Sequence, residues 1–295
     1  MWTVEYQFNV MRAHSGRFGY DSSLDADSSR LRTLIDERLG SNSNSPNSYV
    51  DLDILYKDIL LQAAEGPENE CIEDMVIIVG TVIQLRSEMP LKIIARILEQ
   101  DEDNVQTALN RIQSIIPVPT DPSRPIQIYH PSFPDLITNR RRCPDSRFYV
   151  DPSTHERQLA LRCLDILKNR LPEGVETLLK PIEEVDAVSK DTVLRMIPQE
   201  LQYGCRFWAL HVTFSSIDNS DEELMERLDQ FSSTMLLRWV ISMCFLHAVA
   251  DAITATRSMQ QWIVSLAFLM SISSTNNLVG RFWAMELFEG PVLRH

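Results

Sequence analysis

The segment from Met75 to Leu85 reads MVIIVGTVIQL and is apolar on nearly every side. A helix with this pattern is stable only inside a protein, so we expect it to be the central buried helix of its domain. The segment before it is amphipathic instead, with Leu52, Leu55 and Ile59 at the spacing of one helical face. Together the two patterns predict an amphipathic helix followed by a fully buried helix.

Two further helices are expected directly after this buried segment. Ser87 is placed to cap a helix over 88–99, with Pro90 in its first turn, where the missing N–H costs nothing. Asp101 or Asp103 is placed to cap the next helix, whose apolar residues repeat at helical spacing.

A short β-hairpin is predicted after these helices. Its strands are Ile115–Val118 and Ile126–Tyr129, and the turn between them contains the sequence Asp-Pro-Ser-Arg-Pro over 121–125. Helices followed by a small hairpin are typical of a winged helix, which is a variant of the helix-turn-helix.

The rest of the chain, over 139–295, predicts successive helices with polar joints. The start signals are Pro152, the capping box Ser153…Glu156, and one of Asn219, Ser220 or Asp221. The apolar segments are 198–214, 235–253 and 259–270. Only nine glycines occur in 295 residues, which disfavours the many tight turns of an all-β fold. The fold class is therefore mainly α: a winged-helix domain with a small β-hairpin, followed by a helical array or bundle.

The charge of the chain argues against nucleic acid as a partner. The net charge is −13, and a protein this acidic repels phosphate backbones. The would-be recognition helix also begins with Asp101, Glu102 and Asp103, where base-reading helices need cations near the phosphates. The one basic cluster, Arg140 to Arg142, is interpreted as a solvated hinge.

The five cysteines are odd in number, widely spaced and without a C-x-x-C pair. This argues against a disulfide framework and against a metal site. We interpret them as reduced thiols, mostly buried, in a cytoplasmic protein. The most apolar tract, 235–253, is interrupted by Arg238, His247 and Asp251 and falls short of the ~18–20 apolar residues of a membrane span. A membrane is therefore not an expected partner.

The motifs of common enzymes are absent from these residues. None of the five lysines follows a glycine, so the phosphate-binding loop G-x-x-x-x-G-K-[ST] does not occur. The patterns G-x-G-x-x-G, G-x-S-x-G and H-E-x-x-H do not occur either. We therefore expect neither enzymatic activity nor a cofactor.

His130 is the residue that the sequence singles out as a candidate site. It follows the second predicted strand and opens the segment His-Pro-Ser-Phe-Pro-Asp-Leu-Ile over 130–137. Two interpretations are open: a histidine that closes the domain by hydrogen bonds, which the spacing favours, or a polar group at a rigid strand end that faces another domain. A catalytic dyad with Asp135 is not expected, because no nucleophile lies in a recognisable context.

The same segment resembles the fungal NACHT-type members of the STAND NTPases, the NOD-like receptors of mushrooms. Their winged helix ends in a His-x-Ser-Phe-x-Asp-aromatic-Leu pattern, which His130, Ser132, Phe133 and Asp135 match. The resemblance runs from about Ser29 to Trp239. The other matching stretches are 52–60, 79–86, 142–152, 155–167, 197–209 and, after a gap, 281–291.

The resemblance implies three regions. Residues 1–50 correspond to the degraded end of a NACHT-like module and a polar linker, 51–138 to a winged-helix-like domain, and 139–295 to a helical linker domain. His130 then holds the position of the histidine that reads the phosphates of a bound nucleotide, and Ser132, Phe133 and Asp135 are structural residues of the same motif. Without a phosphate-binding loop in the sequence, the position of His130 is expected to be inherited and vestigial.

Two functional hypotheses follow from the resemblance. The first is a non-catalytic regulatory or interaction module for signal transduction, from a truncated or decaying family member, with protein partners such as an intact NACHT family member. The second is a fragment of an intact NACHT ATPase signalling receptor whose phosphate-binding loop lies upstream of this chain. A phosphate-binding loop encoded just before Met1 would favour the second.

Overall fold

The computed structural model describes residues 48–65, 69–128, 130–143, 145–179, 197–215 and 221–270. The chain divides into two compact units, Met1–Asp151 and Pro152–His295. The described residues are mainly helical, as predicted. Most of the predicted leader over 1–50 and the matching stretch 281–291 lie outside the described residues.

The first unit is built from short helices. They are α1 (Ser48–Ala63), α2 (Asn69–Gln84), α3 (Leu91–Leu98), α4 (Glu102–Asn110) and α5 (Ser132–Ile137), followed by a 3-10 turn at Ser146–Phe148. Helix α2 contains most of the predicted buried segment and packs against α3 and α4. Its Met75, Ile78 and Val79 are at most 4% exposed, whereas Val76 and Ile77 are half-buried. The helix is therefore covered fully on one side only.

Helix α3 is shorter than predicted. It begins at Leu91, with Pro90 in the N-cap position rather than in the first turn. It ends at Leu98, because Glu99 adopts a left-handed backbone with φ of 55°. The amide of residue 100 then donates to the carbonyl of Ala95 at 2.9 Å, which is the Schellman arrangement that closes a helix C-terminus.

The predicted hairpin is not seen in the described residues. The amides of Ile115 and Ile116 donate to the carbonyl of Ile112 at 2.8 and 3.0 Å, so the first predicted strand begins as a continuation of the helical turns after α4. The helical period of the apolar residues there outweighs their β-branched character.

The second predicted strand pairs with a different segment. Pro90 and Pro125 form an isolated antiparallel bridge, and the amide of Ile126 donates to the carbonyl of Met89 at 2.9 Å. Neither proline has an N–H with which to extend the ladder. The pairing therefore stays at a single bridge between the segment before α3 and the segment that returns after α4.

The loop after α5 belongs to the first unit. The amide of Val150 donates to the carbonyl of Ile137 at 3.0 Å, and Phe148 and Val150 are at most 1% exposed. This accounts for a division of the chain at Asp151, beyond the boundary expected at residue 138.

The second unit consists of longer helices. They are α6 (Pro152–Leu179), α7 (Gln199–Phe214), α8 (Glu222–Gln230), a π-helical segment (Phe231–Met235), α9 (Leu236–Phe245) and α10 (Val249–Met270). Helix α7 packs along α6 and against α10, and α8 and α9 also contact α6. Among the described residues, no helix combines the length and the apolarity that a membrane crossing requires.

The core of the second unit is aromatic. The four residues of the predicted α7 stripe are at most 2% exposed: Leu201, Cys205, Trp208 and Val212. The ring of Trp208 lies 4.5 Å from that of Phe231 and 5.7 Å from that of Trp239, centroid to centroid. The indole N–H of Trp239 donates to the carbonyl of Cys205 at 2.8 Å, so the buried donor is satisfied.

The apolarity of the tract over 235–253 had indicated one continuous helix, but the tract is divided between two helices. Helix α9 ends at Phe245, because His247 adopts a left-handed backbone with φ of 52°. The amide of Ala248 donates to the carbonyl of Met243 at 2.9 Å, which again is the Schellman arrangement. A left-handed residue other than glycine costs roughly 1–2 kcal/mol, and no sequence signal marks this site.

Candidate functional site

His130 lies immediately before α5, and its ring turns back onto the start of that helix. Its Nδ1 is 2.6 Å from the Oγ of Ser132, and the backbone N–H of Ser132 donates to the same nitrogen at 3.2 Å. The carbonyl of His130 accepts from the amide of Phe133 at 3.2 Å. These short-range contacts fix both the backbone and the ring of His130 at the entry to α5.

Ser132 connects His130 to the first helix. Its Oγ lies 3.1 Å from the hydroxyl of Tyr56 on α1, and Ser132 is 2% and Tyr56 1% exposed. The ring of Tyr56 meets that of Phe133 edge-on, at 5.4 Å between centroids. Burial raises the pKa of Tyr56, and the hydrogen bond with Ser132 opposes that shift. The phenol is thus a neutral donor in ordinary conditions.

A salt bridge holds α1 in the same place. The guanidinium of Arg142 donates to both carboxylate oxygens of Asp53, at 2.7 and 3.2 Å. Asp53 and Tyr56 are three residues apart, which places them on adjoining positions of one helical face. The bidentate geometry is the strong form of this ion pair, although both side chains are about a quarter to a third exposed. Arg142 is therefore bound, where the sequence had indicated a solvated hinge.

The other predicted motif residues have different surroundings. Phe133 is fully buried, and its ring packs edge-on against the ring of Tyr56. Asp135 is half-buried in α5, and its backbone amide donates to the carbonyl of Pro131 at 3.4 Å. The structure thus brings His130, Ser132 and Phe133 together with Tyr56, whereas Asp135 has a place in the helix that follows.

The second unit contains another polar cluster that sequence reasoning missed. Nδ1 of His211 lies 2.6 Å from a carboxylate oxygen of Glu156, and Nε2 lies 2.7 Å from the hydroxyl of Tyr203. All three side chains are at most 1% exposed. The sequence had indicated Glu156 as part of a capping box, but its Oε2 faces the interior of the unit. Since no substrate reaches so closed a cluster, we assign it to stability.

The two buried cysteines are not reactive centres. Cys163 and Cys205 are fully buried, and burial raises the pKa of both thiols, that of Cys205 to about 12. A thiol with so high a pKa is inert, because the thiolate is the nucleophile. Cys71 and Cys244 are exposed, so the expectation of mostly buried thiols is wrong for these two. In the part of the chain that the structure describes, no group of His, Cys, Asp or Glu side chains is arranged to hold a metal ion.

Comparison with known proteins does not identify the chain. No protein-family model, curated protein or solved structure matches it. The geometry around His130 and the sequence pattern that contains it are therefore the features that bear on function.

Proposed function

We propose that this chain is a non-catalytic regulatory module, related to the region after the ATPase of NACHT-type STAND NTPases, and that it acts on protein partners. The observation that carries the proposal is the fixed ring of His130. Ser132 holds the ring of His130 at the start of a helix and is itself bonded to Tyr56. A histidine held in this way is suited to contact a ligand that another module binds. The sequence pattern of the segment supports the same role.

The arrangement of the first unit supports a reduced winged helix. Helices α2, α3 and α4 follow one another, and the returning segment pairs with the residues before α3 through the bridge of Pro90 and Pro125. A winged helix has this order, with the pairing extended into a small sheet. We infer that prolines at the bridge have reduced that sheet to one pair.

Binding of DNA is disfavoured as the use of this fold. Three exposed carboxylates lie at the start of α4: Asp101, Glu102 and Asp103. The helix itself, Glu102–Asn110, contains no lysine or arginine. Such a surface repels the phosphates that position a recognition helix.

The proposal predicts the result of a nucleotide test on the chain alone. The chain should release no phosphate from Mg-ATP, and neither Mg-ATP nor Mg-ADP should raise its unfolding temperature. A ligand at ~100 times its Kd would stabilise the folded state by about 2.7 kcal/mol, which thermal unfolding detects readily. A shift that disappears in His130→Ala would place a nucleotide site within this chain and would overturn the proposal.

The partner test uses an intact NACHT-type ATPase loaded with a fluorescent ADP analogue. Adding this chain should slow the release of the analogue, because His130 closes over its phosphates. His130→Ala should remove the effect, and His247→Asn, an exposed histidine of the second unit, serves as the matched control. Equal release with and without the chain would contradict the proposed docking.

A further inference from the structure

We propose that Ser132 and Tyr56 are positioning residues for His130, and that they hold its ring in the neutral tautomer with the proton on Nε2. The assignment comes from hydrogen-bond directions within the first unit. Its use in reading a ligand depends on the proposed function, but the tautomer itself does not.

The backbone amide of Ser132 sets the first direction. Its N–H points at Nδ1 of His130 at 3.2 Å, and an amide N–H only donates. Nδ1 must therefore present its lone pair and carry no proton. In a neutral imidazole the proton is then on Nε2.

The hydroxyls set the remaining directions. Because Nδ1 carries no proton, the Oγ of Ser132 at 2.6 Å must donate to it. That hydroxyl has then used its only proton, so the hydroxyl of Tyr56 at 3.1 Å must donate to the Oγ. The result is a one-way relay from Tyr56 to Ser132 to His130.

The relay is rigid because its source is anchored. Tyr56 and Ser132 are almost fully buried, the ring of Tyr56 packs on Phe133, and Arg142 clamps α1 through Asp53. Buried hydroxyls have few alternative partners, so reversing one hydrogen bond would leave another unmade. Helix α1 therefore supports the state of a ring that lies 74 positions later in the chain, since its Tyr56 is the buried donor to Ser132.

The experiment reads the tautomer directly by NMR of the full chain labelled with ¹⁵N-histidine. The chain has six histidines, and the resonances of His130 are those that disappear in His130→Gln. In the parent, the two ring nitrogens should differ widely in shift, with the bound proton on Nε2. Ser132→Ala removes the shorter of the two hydrogen bonds to Nδ1 and leaves only the amide at 3.2 Å, so the two shifts should move toward each other as the second tautomer becomes populated, and to a smaller degree in Tyr56→Phe.

Tyr203→Phe is the matched control, because it removes a buried hydroxyl from His211 in the other unit. It should move the resonances of His211 and leave those of His130 unchanged. A proton on Nδ1 in the parent, averaged shifts in the parent, or unchanged shifts in both relay variants would overturn the assignment.

One measurement needs no variant. A uniformly ¹⁵N-labelled parent should show a coupling through the hydrogen bond between the amide nitrogen of Ser132 and Nδ1 of His130, and its absence would refute the relay even if the variants fail to fold. Failure of the proposed function is seen separately. If the chain shows the expected tautomer but does not slow release of the ADP analogue, the relay stands and the proposed docking is refuted.

Discussion

Replacing His211 by alanine should destabilise the second unit strongly. The imidazole is 0% exposed, and its two nitrogens lie 2.6 Å from a carboxylate oxygen of Glu156 and 2.7 Å from the hydroxyl of Tyr203. Alanine removes both hydrogen bonds at once. The partners are themselves at most 1% exposed, so bulk water does not take the place of the ring.

The expected cost follows from the burial of both hydrogen-bond partners. A buried polar group that loses its hydrogen bond costs about 1–3 kcal/mol, so the loss of both bonds should cost about 2–6 kcal/mol. Tyr203→Phe removes only the neutral hydroxyl and should cost about 1 kcal/mol. Since the groups share one network, the effects of His211→Ala and Tyr203→Phe should not add.

Urea unfolding followed by tryptophan fluorescence measures this cost in the right unit. The second unit contains four of the five tryptophans, Trp208, Trp239, Trp262 and Trp283, whereas the first contains only Trp2. His247→Asn is the control, since that histidine is exposed and should change the free energy of unfolding little. A loss below about 1 kcal/mol for His211→Ala would refute the reasoning, because that is the range of an exposed ion pair.

Three further changes test other parts of the second unit. Hydrogen bonds from Arg157 lower the pKa of Asp221. Their stabilisation is therefore present above the unfolded-state pKa of ~3.9 and is lost as the pH falls through the lower folded-state pKa. The difference in unfolding free energy between the parent and Asp221→Asn should shrink in that pH window, and a constant difference would contradict this account. His247→Gly should raise the free energy of unfolding by about 1 kcal/mol, because glycine adopts the φ of 52° without strain; an unchanged urea midpoint would argue against this. Gly204→Ala should also stabilise by about 1 kcal/mol, since an added Cβ meets nothing nearer than the carbonyl of Cys163 at 3.5 Å; a lower midpoint would mean that α6 and α7 cannot accept the methyl group.

Helices with clear periodicity could be predicted from the sequence, because burial of one face repeats along the chain. The α7 stripe and the N-cap of α8 are examples: Asp221 accepts from the amide of Leu224 at 3.2 Å. The start of α3 and the end of α9 could not be predicted. Helix α3 begins three residues later than predicted, at Leu91, and α9 stops at the left-handed residue His247, where a glycine would have been the signal.

The hairpin was predicted from composition, and tertiary pairing decided otherwise. Ile126 finds its partner in Met89, a residue from before α3, and no local pattern encodes that choice. β-branched residues predict an extended strand only where a neighbour can complete the ladder. Prolines at both bridge positions prevent that here.

The candidate site could be predicted in part. The motif of His130 is contiguous, but Tyr56 and Arg142 meet their partners across 76 and 89 positions, so folding alone brings them together. One signal was present: Tyr56 lies on the buried stripe of Leu52 and Leu60, and a phenol on a buried stripe needs a hydrogen-bond partner.

Each of the two units connects a tyrosine to a histidine, and the two histidines differ in their burial and their contacts. Side chains engage both nitrogens of His211 inside a closed core, so that ring has no chemistry left to offer. His130 is half-buried, and Ser132 in its own turn contacts Nδ1 through both its Oγ and its backbone N–H. Under the proposed function, a ring whose orientation and proton are set in this way is suited to recognise an anionic ligand. Because Ser132 in turn bonds Tyr56 on α1, and Asp53 of α1 bonds Arg142, a movement of α1 should loosen the ring, and under the proposed function a partner that shifts α1 would control His130.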